Sequence, residues 1–241
     1  AESIQVTSAD TERMRRSVHR KIEEESGMKK WNMKRVFVVA AAICVLGTIT
    51  AVAAGKAAYT SSGGSHLDDF TYDKLGEMET KLGFATKAPE TFGNGYRFEL
   101  GMPTHDEAHD EDGNVIKSTE SLSLQYKKGG SPDIFVSVQG SGLYEEEGRP
   151  HQTFDHNGIT LNYTRDQYRF VPPDYQVSEE EKAREAAGEL YISYGSDKVE
   201  DKAAQSMVWK DGERVYIITT MDNPITAEEM AQMAAELIDN E

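Results

Sequence analysis

"MVWKDGERVYIITTMDNPITAEEMAQMAAELI", residues 207–238, carries the clearest structural signal in the chain. The β-branched and aromatic runs around Trp209 and from Arg214 to Thr220 flank Lys210-Asp211-Gly212, a turn sequence, so they pair as antiparallel strands. Thr226 followed by Glu229 forms a capping box. Beyond it Met230, Met233, Ala234, Leu237 and Ile238 fall on one face of a helix. A strand pair followed by a helix with one apolar stripe requires the stripe to cover the sheet.

Outward from this stretch the same pattern repeats. "GYRFELGM" (95–102) alternates Tyr96, Phe98, Leu100 and Met102 with polar positions and reads as a strand with one buried face. "THDEAHDEDGN" (104–114) reads as a charged loop closing on an Asp112-Gly113 turn. "SLSLQY" (121–126), "IFVSVQ" (134–139), the segment after the His156-Asn157-Gly158 turn, and "LYISY" (190–194) are further strands. Ser178 and Glu181 open a short helix with a second capping box. Near the start of this region, "LDDFTYDKLGEMETKLGF" spaces Phe70, Leu75, Met78 and Leu82 at helical intervals and stops at Gly83. The expected fold class is α+β: an antiparallel β-sheet meander with helices on one face, preceded by a single transmembrane helix.

That transmembrane expectation rests on Val36 to Ala54, nineteen residues without a charge. As a helix they cover about 28 Å, close to the ~30 Å hydrocarbon layer. Lys29, Lys30, Lys34 and Arg35 crowd the front and Lys56 stands behind, which places the amino terminus in the cytoplasm and the larger domain outside. The same residues also fit a cleaved secretory signal ending near Ala53, with Ala51-Val52-Ala53 as its small-residue end. Against cleavage stand 27 upstream residues that read as a charged helix with Met14, Val18 and Ile22 on a thin apolar stripe. Four parts follow: a basic cytoplasmic segment 1–35, the span 36–55, a flexible linker 56–66 and an extracytoplasmic domain 67–241.

Charge agrees with this division. The whole chain carries −16, yet residues 1–35 hold nine Lys/Arg against six Asp/Glu, while the remainder holds seventeen against thirty-six. So acidic a body lacks the basic face that phosphate contacts need, which excludes nucleic acid as a partner. The sole cysteine, Cys44, sits inside the apolar run, leaving the domain without disulfide or thiol nucleophile.

Trp209, Gly212 and Tyr216 on their hairpin, with Ile225-Thr226 opening an acid-paired helix, resemble the end of a family of uncharacterised extracytoplasmic domains in bacterial membrane proteins. "LGFATKAPETFGNGYRF" (82–98) resembles that family's entry segment. The whole layout is similar to that of membrane-anchored anti-sigma factors. The resemblance implies an inner segment that holds a sigma factor inactive and an outer domain that controls proteolytic release. The inner segment is too short for a globular sigma-binding domain and lacks the His and Cys ligands of the zinc-containing type. Sigma binding would therefore rest on Met14, Val18 and Ile22.

Candidate chemistry is sparse. His105, His109 and Asp110 have ligand-like content, and two imidazoles four apart face one side of a helix as a divalent metal requires. Their place between two strands favours a solvated acidic stretch instead, and no metal or other cofactor is expected. No serine lies in a Gly-x-Ser-x-Gly elbow, and the acid pairs at 145–147 and 179–181 occur in runs typical of a solvated face. No enzyme activity is expected. Tyr163, Tyr168 and Tyr191, among other aromatics, either pave a ligand groove or serve as packing. Two functions remain open: a sensing or binding domain on a single-pass anchor, regulating in an anti-sigma-like way, or a secreted or anchored carrier for an apolar or peptide ligand.

Overall fold

Residues Val215 to Thr220 are buried at every position, on both faces of their strand. An unbroken buried run of this kind belongs at the centre of a sheet rather than at its end. The computed structural model describes residues 59–64, 69–110, 114–140, 150–172, 174–194 and 196–240. The expected cytoplasmic segment 1–35, with Met14, Val18 and Ile22, and the apolar run 36–55 lie outside them. No helix among the described residues is long and apolar enough to cross a membrane.

The strands are β1 (Tyr59–Gly64), β2 (Arg97–His109), β3 (Val115–Lys127), β4 (Ile134–Gly140), β5 (Gln152–His156), β6 (Ile159–Val171), β7 (Tyr191–Tyr194), β8 (Glu200–Asp211) and β9 (Arg214–Met221). The helices are α1 (Leu75–Leu82), α2 (Glu179–Ala186) and α3 (Ala227–Asp239). The strands form one half-barrel sheet in the order β1-β2-β3-β4-β9-β8-β6-β5, with β7 beside β6. The described region is thus mostly β, with three helices, and α+β-like.

The meander expectation holds only in sections. β1 to β4 follow one another, but β4 then pairs with β9 rather than β5, and β7 runs parallel to β6. The parallel pair follows from its connection: α2 lies between β6 and β7, and a strand–helix–strand crossover returns the chain in the same direction. Residues 59–64, read as flexible linker, instead pair with β2 from Tyr59↔His109 to Gly64↔Thr104. Thr104 to His109, read as part of a charged loop, are not a loop either, while the expected Asp112-Gly113 turn lies outside the described residues. Residues 104–109 continue β2 because polar residues of β3 sit opposite, as in His105↔Glu120 and Asp106↔Thr119. Phe70 stands outside α1 and bridges Gly101 of β2 instead.

The main core lies between the sheet and α3. Met230, Met233, Ala234 and Leu237 meet Leu124, Val136, Met207 and Ile218, with Leu75 of α1 in the same cluster. Trp209 and Tyr216, cross-strand partners, stack with centroids 5.2 Å apart. Both anticipated capping boxes are present, at Ser178 and Thr226. Asn157 and Gly158 both take positive φ, 53° and 80°, which a two-residue hairpin of the primed type demands.

Candidate functional site

Near the end of β6 an arginine interrupts the buried pair Tyr168 and Phe170. Its register partner on β8 is Asp201. Arg169 clamps that carboxylate with two parallel bonds, Nε to Oδ1 at 2.6 Å and Nη2 to Oδ2 at 2.7 Å. Its remaining nitrogen, Nη1, donates to Glu181 Oε1 at 2.7 Å. Such fork geometry is specific to guanidinium.

Glu181 comes from the first turn of α2 and is buried, 6% exposed. Its Oε1 also accepts from the Tyr175 hydroxyl at 2.6 Å, and its Oε2 accepts from the backbone N–H and the hydroxyl of Ser178, both at 2.7 Å. Burial by itself would raise the Glu181 pKa. The donors of Tyr175, Ser178 and Arg169 outweigh burial and hold it at about 2. Asp201 is likewise held low by Arg169, and the Tyr175 phenol is raised by the carboxylate it serves. A cavity of about 350 Å³ opens beside this network, bounded also by Gln176, Glu180 and Arg184.

The arrangement is suited to binding rather than acid–base work. Glu181 is ionised at neutral pH with its oxygens saturated, so it is a weak base and no proton donor.

The residues singled out in the sequence fall elsewhere. His105 and His109 lie on β2, not on a helix, so their Cα atoms stand about 13 Å apart along the strand rather than on successive turns of one helix face. Glu107 sits between them, 3.6 Å from His105 Nε2 and 3.4 Å from His109 Nε2, while His105 Nδ1 lies 2.6 Å from Glu120. The hydrogen bond with Glu120 raises the His105 pKa. Asp110 receives the backbone N–H of Asn114 at 2.8 Å and so closes the local chain. Among the described residues, no group of three or more His, Cys, Asp or Glu is placed to hold a metal ion.

The three tyrosines do not form one groove. Tyr163 points into the main core, its hydroxyl accepting from Gln205 Nε2 at 3.0 Å. Tyr168, an odd number of residues away, falls on the opposite face and stacks on Tyr191 at 5.1 Å. Tyr175, from the same aromatic-rich stretch, does reach the cavity. The sequence marked Glu181 only as a capping-box acid in an acidic run, and it did not single out Arg169 or Arg184, because the carboxylates that hold Arg169 come from distant segments. The usable signal was the place of Glu181 at the third helical position after Ser178, where a capping-box carboxylate turns inward.

Searches against protein-family models, curated proteins and solved structures found no match to this chain.

Proposed function

We propose that this chain is a single-pass membrane protein, amino terminus in the cytoplasm, whose sheet domain lies outside and senses or binds a ligand there. In this reading residues 36–55 span the bilayer, and the inner helix with Met14, Val18 and Ile22 passes the signal on, in an anti-sigma-like manner to a sigma factor. The observation that carries it is the uncharged stretch Val36–Ala54 with four basic residues before it and a strongly acidic body after it. Strand β1 adds support. Tyr59 follows Ala54 by only five positions and is already paired to β2, so the sheet would sit close to the membrane with little slack. A change in the domain is then felt at the anchor.

Amino-terminal sequencing of the protein from cells, with protease treatment of wall-stripped cells, tests this. Protein that retains residues 1–35 and is shaved down to a membrane-held stump supports the anchor. Mature protein beginning near Ala54, or a domain protected from protease in intact wall-stripped cells, removes it. Capture of a sigma factor by residues 1–35 supports the inner role, and failure to capture one removes that role alone.

The Ala51-Val52-Ala53 end favours a second reading, a secreted or anchored carrier for an apolar or peptide ligand. The helix-covered sheet face is packed with Met230, Met233 and Leu237, so a carrier would have to hold its cargo elsewhere.

A further inference from the structure

The hydrogen-bonding capacity of the α2 cleft is unevenly spent. Glu181 accepts four bonds through its two oxygens, and Asp201 is taken bidentately by Arg169. Their acceptor sites are largely spent internally, although two carboxylates share one guanidinium and the charge of Arg184 nearby also helps hold the Asp201 pKa down. Two charged groups on the cavity wall are not spent in this way. Arg184 and Glu180 both line the cavity, and among the described residues neither side chain makes a hydrogen bond or a close ion pair, Arg184 acting on Asp201 only through its charge at longer range. They stand four apart on α2, neighbours on its surface, with no ion pair closed between them.

We propose that this cleft binds the dipolar head of a free α-amino acid, the carboxylate at Arg184 and the ammonium at Glu180. The inference deepens the binding role proposed above and rests on that reading only for the ligand's location; the cleft chemistry is independent of the membrane. A guanidinium with all its donors unspent is matched by a planar carboxylate, which it grips through two parallel bonds. A simple anion would meet Glu180 and an acidic protein, and a simple amine would meet Arg184 beside Arg169. A molecule bearing both charges avoids each repulsion. The cavity, about 350 Å³, lies at the small end for ligand sites and suits a metabolite of this size. Its floor is already ordered, because Arg169, Tyr175 and Ser178 are fixed around Glu181, so ligand binding spends little on arranging the protein.

Titration calorimetry on the full-length chain in detergent micelles tests the proposal, with the common α-amino acids in both enantiomers as probes. At least one should bind, and both its methyl ester and its N-acetyl derivative should bind about tenfold more weakly or worse. Arg184→Gln should erase the preference for acid over ester, and Glu180→Gln the preference for free amine over N-acetyl. Neither side chain is bonded within the domain, so thermal melts of both variants should match the parent. No heat from any amino acid up to about 10 mM overturns the proposal. So do equal binding of N-acetyl derivatives, equal competition by acetate or inorganic phosphate, or unchanged affinity in R184Q. None of these results alters the outcome of amino-terminal sequencing, so the failure of the cleft and the failure of the anchor are separable.

Discussion

Arg169 and Glu181, one near the end of strand β6 and the other in the first turn of helix α2, meet at 2.7 Å, and their pairing fastens the crossover helix to the sheet. Asp201 on β8 holds the other edge of the same guanidinium. The strand, the neighbouring strand and the helix thus share one ionic joint, at a point where no large apolar side chain of α2 is buried.

Removing the Glu181 carboxylate leaves Arg169 Nη1, the Tyr175 hydroxyl and the Ser178 cap without their acceptor. Glu181→Ala should cost about 3 kcal/mol, below the largest values for buried pairs because Arg169 keeps some solvent contact. For a domain of this size that is a fall in Tm of roughly 10 °C. Thermal melts of E181A beside the parent check it; a loss under about 1 kcal/mol would show the joint to be ornamental.

The same carboxylate sets an acid limit. Its folded pKa is about 2 against about 4.3 unfolded, so it is depressed on folding. A depressed carboxylate stabilises above its unfolded pKa, and that contribution fades as pH falls through the folded value. The gap in stability between parent and Glu181→Gln should therefore be full above pH ~5 and should narrow steadily toward pH ~2. Denaturant titrations along a pH series measure the gap. A gap that stays constant across this window would assign the effect of Glu181 to packing, not charge.

Gly101 and Phe70 exchange two backbone hydrogen bonds, 2.9 Å and 2.8 Å, and the ring of Phe70 occupies the space beside the glycine where a Cβ would stand. A Cβ built at Gly101 would stand 2.7 Å from Cε1 of that ring and closer still to its neighbouring carbons. Gly101→Ala should destabilise by about 2 kcal/mol by displacing the phenyl group. Phe70→Ala should cost about 3 kcal/mol through its cavity. The double variant should be little worse than F70A by itself, since the clash has gone. Additive losses in this cycle would contradict a shared cause.

Much of this architecture could be read locally. The caps at Ser178 and Thr226, the turns at Asn157-Gly158 and Gly212, and the apolar stripe of α3 depend on residues at most a few positions apart. What escaped depends on distant pairing. Nothing near β4 announces that β9 is its neighbour, and the unbroken apolar run from Val215 to Ile218, read only as one arm of a hairpin, shows its meaning once the strand lies between β4 and β8. The charge of His105 to Asp110 argued for a loop until the polar residues of β3 came opposite and made a ladder. Arg169 finds Asp201 and Glu181 only after β8 and α2 have returned to β6. The tyrosines fail as a groove by parity, since Tyr163 and Tyr168 face opposite sides of one strand.

Asn223 sits in the Pro-containing link between β9 and α3, 6% exposed. Its Nδ2 reaches the Tyr96 hydroxyl at 2.9 Å, the Thr220 hydroxyl at 3.0 Å and the Pro132 carbonyl at 3.1 Å, while its Oδ1 accepts from Ile225 N–H at 3.1 Å. One amide therefore ties the start of the closing helix to three other segments. Asn223→Ala should cost about 2 kcal/mol by stranding buried partners. Asn223→Asp should be no better, because a carboxylate cannot donate to the Pro132 carbonyl. Hydrogen exchange should show early opening at the amino end of α3 in both variants.

His105 supplies a dependence of the opposite sign. Its hydrogen bond with Glu120 raises its pKa, with further help from Glu107 and Asp106, so the charged imidazolium is favoured by folding. A group raised on folding stabilises fully below its unfolded pKa, about 6.5, and the contribution is lost as pH rises through the folded value. The ring is half exposed, which limits the effect to a few tenths of a kcal/mol. NMR titration of the His105 ring should give a midpoint above 6.5, and Glu120→Gln should bring it back down. A midpoint that ignores Glu120→Gln would mean that this side-chain contact, which the pairing of position 105 with position 120 permits, is not kept in solution.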